Sequence, residues 1–136
     1  MNSIVALLAV GPTLGLTQTP AHRVVIEVNV PGTVAYGTIL NNAENVIKAF
    51  APEKVEVEIV CHGEGIKLLQ PAATHYSARI MKLHTSGVTF AACANTIKGK
   101  HLKPSDLYGF VTVVKSGVWE VVSKQENGWS YLKGGF

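Results

Sequence analysis

Hydrophobic and polar positions first fall into order at Arg23-Val24-Val25-Ile26-Glu27-Val28-Asn29-Val30, a β-branched run closed by Pro31-Gly32. Such a run predicts a largely buried strand and then a loop. From residue 34 to residue 50 the period changes. Ile39, Ala43, Val46, Ile47 and Phe50 return at three- and four-residue intervals, which predicts a helix with Thr33 as its N-cap and Pro52 just past its end. Residues 55–61 then alternate apolar and acidic side chains, the pattern of a strand with one covered and one wetter face, and so of an edge strand.

Further on, residues 66–69 and 76–84 predict two short helices; Ala78, Ile80, Met81 and Leu83 form the apolar face of the second, and Gly87 stops it. Residues 88–93 read as a third strand, and Lys98-Gly99-Lys100-His101 with Pro104 as a loop. Residues 110–114 predict a fourth strand. Ser116 is the expected N-cap of a helix whose apolar face includes Val118, Val121 and Val122 and which Gly128 closes, and residues 129–132 predict a last strand. Strands that alternate with helices need right-handed crossovers. The fold expected is therefore an α/β three-layer sandwich, a mostly parallel Rossmann-like sheet with helices on both faces.

In sheets of this kind ligands bind beyond the carboxyl ends of the strands, where the strand order reverses. That rim holds residues 29–33, 61–65, 93–96 and 115–118, and both cysteines, Cys61 and Cys93, lie on it. Cys93 ends a strand and precedes Ala94-Asn95-Thr96-Ile97, whose opening helical turn would aim N–H groups at the sulfur, while Lys98, Lys100 and His101 follow closely. Helix N-termini and cations both favour thiolate. Cys61-His62-Gly63-Glu64-Gly65 offers a thiol, an imidazole and backbone donors, so His62 could move protons and Gly63 could present an N–H to an anion. The plainer reading of either cysteine is a small buried hydrophobe.

Composition narrows the function. The 136 residues are 47% hydrophobic and 15% charged with a net charge of +3, enough apolar material for one domain with a core. Arg23 and Arg79 are the only arginines and the charges are interspersed, which argues against a nucleic-acid surface. Two cysteines without Cys-x-x-Cys spacing suggest neither a disulfide scaffold nor a zinc site, so no metal or cofactor is expected. The glycine fingerprint of dinucleotide enzymes is missing too. With the first strand placed between the second and third, Cys61 and Cys93 would stand two strand spacings apart, about 9–10 Å, too far for a disulfide. Trp119, Trp129 and Tyr131 read as core or subunit-contact residues, and Asn41-Asn42-Ala43-Glu44-Asn45 as the solvated face of the first helix.

Residues 1–22 form a hydrophobic N-terminal segment set apart from a domain over 23–136. Met1 to Leu16 carries no charge, but Gly11-Pro12 interrupts it before the length a bilayer requires, so no stable membrane span is expected. It reads either as a signal peptide cleaved near Thr19-Pro20-Ala21, which would place the protein in the periplasm, or as an extension of a cytoplasmic protein.

Over residues 23–133 the sequence resembles the DsrE/DsrF-like family, and within it the YchN-like branch. The resemblance is carried by residues 24–28, 40–45 and 57–65, by Ser86-Gly87-Val88-Thr89-Phe90-Ala91-Ala92-Cys93-Ala94-Asn95-Thr96, and by Ser116-Gly117-Val118-Trp119-Glu120. It implies a flavodoxin-like sandwich assembled as a homotrimer or hexamer. The family's cysteine after the third strand, which carries a persulfide in sulfur-relay members, maps onto Cys93; Cys61 has no counterpart. The expected function is thus sulfur handling, with sulfane sulfur held as a persulfide on Cys93, His62, Gly63, Asn95 and Thr96 around it, and donor and acceptor proteins as partners. A non-catalytic oligomeric module that binds a small ligand or a protein is the alternative.

Overall fold

In a computed structural model, which describes residues 10–12, 15 and 20–135, the first apolar run forms strand β1 (His22–Val28). Most of the hydrophobic N-terminal segment, with the proposed cleavage site's Thr19, lies outside the described residues. Helix α1 (Thr33–Phe50) follows, then β2 (Val55–Cys61), a 3₁₀ helix (Gly63–Leu69), α2 (Ser77–Thr85) and β3 (Thr89–Cys93). The chain ends with α3 (Ala94–Gly99), β4 (Thr112–Val114), α4 (Gly117–Glu126) and β5 (Ser130–Gly134). Among the described residues no helix is long and apolar enough to cross a membrane.

The five strands are all parallel in the order β4-β3-β2-β1-β5. Successive crossovers march from β1 outward to β4; α4 then carries the chain back across the sheet to β5, beside β1. The reversal of strand order therefore lies between β1 and β5.

Because side chains alternate across a strand, the sheet has two different cores. Val24, Ile26, Val28, Val57, Ile59, Cys61, Phe90 and Ala92 pack under α1, α2 and the 3₁₀ helix in the larger one. Val25, Val60, Ala91, Val121 and Trp129 form a smaller cluster on the opposite face, where α4 is the covering helix. Helices do lie on both faces, but unequally. Val121 is the buried member of the helix face expected on α4, whereas Val118 and Val122 are 57% and 47% exposed. The narrow second core has room for one row of α4 side chains.

Several local expectations change. Strand β2 is not an edge: it lies between β1 and β3, and the edges are β4 and β5. Its acidic alternation has another cause. Glu58, only 8% exposed, sits beneath α4 with its Oε2 2.8 Å from Lys124 Nζ, and Glu120 lies 3.6 Å from the same ammonium. Glu58 Oε1 is buried without a hydrogen-bond partner in this arrangement. Burial and the neighbouring Glu58 charge push the Glu120 carboxyl above its ordinary range. The cap of α1 is Gly32, in the left-handed region at φ 112°, and Thr33 is the first helical residue. Ser116 caps α4 as expected, accepting the Trp119 N–H at 3.4 Å.

The placement of β1 between β2 and β3 is also wrong. These two strands pair directly, Cys61 opposite Ala92, so Cys61 and Cys93 are one strand spacing and one residue apart. Strand spacing therefore does not exclude a disulfide. Both cysteines are nonetheless free. Cys61 belongs to the larger core and Cys93, one register position beyond Ala92, points to the α4 face; side chains that diverge through the sheet cannot be bridged.

Trp129 is buried in the smaller core, with the Lys124 ammonium 4.2 Å from its ring centroid. Trp119 is exposed beneath Lys115. On α1, Asn41 and Glu44 both accept from Arg79 of α2 and so tie the two helices.

Candidate functional site

The carboxyl ends of β1, β2 and β3, the first half of β5 and the start of α4 converge on the smaller-core face. Cys93 closes β3 and is the N-cap residue of α3, with β-region backbone (φ −70°, ψ 119°). That conformation turns the next amides back toward the sulfur. The side chain is 5% exposed. Burial alone would push its thiol up, but the polar groups gathered near it, the Thr96 hydroxyl and the N–H groups of Gly117, Thr96 and Asn95, more than offset that and favour the thiolate, so the thiol is held below its ordinary range. Cys61, fully buried among apolar groups, is driven strongly the other way.

The groups that favour the Cys93 thiolate are neutral donors, not the cations expected from the sequence. Lys100 is committed to Glu64, Lys98 is exposed at the end of α3, and His101 is exposed just past that helix, at a positive φ of 54°. Glu64 takes a second partner, Lys67 at 2.7 Å, and the hydrogen bonds and charges of the two ammoniums, Lys100 foremost, hold its carboxyl down at about 2.

Of the residues expected around Cys93, Asn95 and Thr96 contact it directly. Gly63 is one step removed: its N–H donates to Thr96 Oγ1 at 2.9 Å, so the hydroxyl that accepts from the loop after β2 is the one that favours the Cys93 thiolate. Such a chain polarises each member toward the thiolate.

His62 completes the set. Extending the β2–β3 register one position beyond Cys61 and Ala92 sets His62 beside Cys93, and the extended backbone of His62 (φ −144°, ψ 170°) keeps it in line with β2. Both side chains then point to the α4 face, about 4.8 Å apart at the backbone. Gly117, the first residue of α4, lies against both. Its N–H reaches Cys93, and a Cβ on it would stand 2.8 Å from His62 Cβ and 3.1 Å from the ring carbons Cγ and Cδ2. Only a residue without a side chain allows so close an approach.

Glu27 and Gly117 join the site without any role expected of them, and Tyr131, expected in the core or at a subunit contact, is 42% exposed and belongs to it as well. His62 Nε2 lies 2.7 Å from Glu27 Oε1, and the Tyr131 hydroxyl donates to Glu27 Oε2 at 2.6 Å. Burial would raise the Glu27 carboxyl, but the Tyr131 and His62 hydrogen bonds, with help from the charges of His62 and Lys133, bring it below its ordinary range. Tyr131 is pushed up to about 12, chiefly by its bond to that carboxylate. The available signal was a lone acid near the carboxyl end of an aliphatic strand; its partner lies 35 residues away in sequence. Among the described residues no group of three or more His, Cys, Asp or Glu side chains is placed to hold a metal ion.

The site thus sets a buried thiol with a lowered pKa at the start of α3, with an imidazole oriented by Glu27 one cross-strand step away. A family model described as "DsrE/DsrF-like family" matches residues 23–133. Among solved structures, one described as "Structure of Protein of Unknown Function MTH1491 from Methanobacterium thermoautotrophicum" is similar, with a TM-score of 0.77 and 29% sequence identity over 82% of this chain and 98% of that chain. No curated protein matches.

Proposed function

The chain belongs to the DsrE/DsrF-like family, and from that premise we propose that it handles sulfane sulfur, carried as a persulfide on Cys93. The finer placement, in the YchN-like branch, is part of this proposal and rests on the segments around Gly63 and Cys93. The observation that carries the reading is the placement of Cys93 at the end of β3 and the start of α3, in cross-strand register with a His62 that Gly117 backs, with its thiol held below the ordinary range by neutral polar groups nearby. The Cys93 thiolate attacks the outer sulfur of a donor R–S–SH. A new S–S bond forms to Cys93, the donor's S–S bond breaks, and its electron pair leaves on the R–S sulfur. Transfer onward is the same exchange, with an acceptor thiolate attacking the outer sulfur and Cys93 leaving as thiolate. No oxidant or reductant is consumed. His62, Gly63, Asn95 and Thr96 are the residues assigned to this site, and donor and acceptor proteins are the partners proposed.

A second reading, a non-catalytic oligomeric binding module, is favoured by the low exposure of Cys93 and by the outward Val118, Trp119 and Val122 of α4, which suit a homotrimer or hexamer contact. Intact-protein mass spectrometry after incubation with inorganic polysulfide separates the two. The carrier gains about 32 Da, one sulfur, on Cys93 and loses that gain in Cys93→Ser. A wild type that stays unmodified and resists alkylation at mildly acidic pH leaves only the module.

A further inference from the structure

The persulfide exchange leaves a thiolate on the donor, and a poorly stabilised thiolate leaves slowly unless it is protonated as the bond breaks. A cluster of three side chains beside Cys93 is placed to deliver that proton. Glu27 is opposite Val60 in the β1–β2 register and His62 is two residues beyond Val60; Tyr131 is opposite Val25, two residues before Glu27, in the β1–β5 register. Period-two alternation puts all three side chains on one face, at neighbouring diagonal positions. Their contacts are short and complete: both Glu27 oxygens are engaged, one by His62 Nε2 at 2.7 Å and one by the Tyr131 hydroxyl at 2.6 Å. The His62 ring is backed by the Cα of Gly117, with no room for a side chain between them. The imidazole is fixed on two sides, one cross-strand step from Cys93. The cluster also sits where β1, β2 and β5 meet, beside the reversal of strand order, the position at which open parallel sheets gather ligands.

We infer that Glu27, itself held by Tyr131, is a positioning residue that clamps Nε2 of His62, and that the other ring nitrogen, Nδ1, gives its proton to the departing thiolate during transfer of sulfane sulfur from a low-molecular-weight or protein alkyl persulfide. The inference rests on the persulfide reading above. In the step, Cys93 S⁻, R–S–SH and imidazolium become Cys93–S–SH, R–SH and neutral imidazole; water then returns a proton to His62. The substrate class follows from the chemistry. An alkyl persulfide, whose leaving thiolate is strongly basic, needs the acid, whereas an aryl persulfide, whose thiolate leaves readily, does not. Carboxylate-held imidazoles recur where a ring must keep one tautomer and one orientation while its free nitrogen exchanges a proton.

The test compares loading of Cys93 by an alkyl and an aryl persulfide, followed by mass spectrometry on the full chain. His62→Gln and Glu27→Gln are expected to slow alkyl-donor loading on the order of 100-fold, the scale of general acid catalysis. Aryl-donor loading and iodoacetamide alkylation of Cys93 are expected to change less than about threefold, because the thiolate and its amide donors remain. Tyr131→Phe is expected to shift the same ratio in the same direction by a smaller factor, and added imidazole to restore the alkyl-donor rate of His62→Ala. A loss shared equally between donors, or no loss, overturns the acid assignment while the carrier stands. A wild type loaded by neither donor overturns both. Should Glu27→Gln unfold, the Tyr131→Phe ratio and the imidazole rescue decide alone.

Discussion

The Cα of Gly117 rests on the His62 side chain so closely that a methyl group there would lie 2.8 Å from His62 Cβ. The same residue turns its N–H toward Cys93. One glycine thus joins the start of α4 to both sides of the site. Gly117→Ala is expected to push the helix off the sheet edge at a cost of about 1–3 kcal/mol, the usual penalty of overpacking, and to slow Cys93 alkylation as the N–H moves away. Urea unfolding and the iodoacetamide rate at fixed pH check the two halves separately; unchanged values in both would contradict the contact.

Thr96 is the second such junction, since its hydroxyl accepts from Gly63 and favours the Cys93 thiolate. Thr96→Val keeps the shape and removes the hydroxyl. The Gly63 N–H is left unpaired, which costs about 1–3 kcal/mol for a part-buried donor, and the pH midpoint of Cys93 alkylation rises, whereas Thr96→Ser preserves it. In Cys93→Ser, the remaining Cys61 is expected to stay unlabelled until the protein unfolds, because it is fully buried and its thiol is raised.

Beneath α4, Glu120 binds its proton more tightly in the folded chain than in the unfolded one. A carboxyl raised on folding stabilises the native state fully below the ordinary value of 4.5 and loses that contribution as pH rises through the raised folded value. Glu120→Gln abolishes the loss. Its stability relative to wild type should therefore grow as pH increases from 4.5, with the Glu58–Lys124 pair intact in both, and urea titrations at several pH values measure the difference.

Glu64 behaves in the opposite sense. Paired with Lys100 and Lys67, its carboxyl is lowered to about 2 from 4.5, so its contribution is present above 4.5 and lost as pH falls toward 2. Both ion pairs are open to solvent and screened by salt. Glu64→Gln should flatten the acid limb of the stability profile slightly, most visibly at low ionic strength; an acid limb identical to wild type would show the pairs to be inert.

Much of this architecture is legible in the chain. The β-branched run at residues 24–28, the three- and four-residue repeat of α1 and the stop at Gly87 each reflect local backbone preference and a single burial direction, which the residue types record. Strand order is different. Nothing in residues 55–61 says on which side a neighbour will lie, and the acidic alternation that looked like a wet edge is instead a buried Glu58 matched by Lys124, a partner 66 positions later in the chain. The position of Cys93 at a strand end was visible for the same local reason, and so were Asn95 and Thr96 next to it. Glu27, Tyr131 and Gly117 were not, because their importance arises from cross-strand register and from one close helix approach, both of which exist only after the sheet has assembled. The cations near Cys93 were a misleading signal: proximity along the chain put Lys100 close by, and Glu64 claimed it.

The back-to-back placement of the two cysteines, one sulfur under α1 and the other under α4, has a chemical corollary. A chain with a second thiol within reach discharges a persulfide by closing on itself, expelling hydrosulfide and ending as a disulfide. Here the sheet is a partition between the two, so that short circuit is shut. On the persulfide reading, whatever Cys93 acquires leaves toward a thiol brought to it from outside rather than toward Cys61.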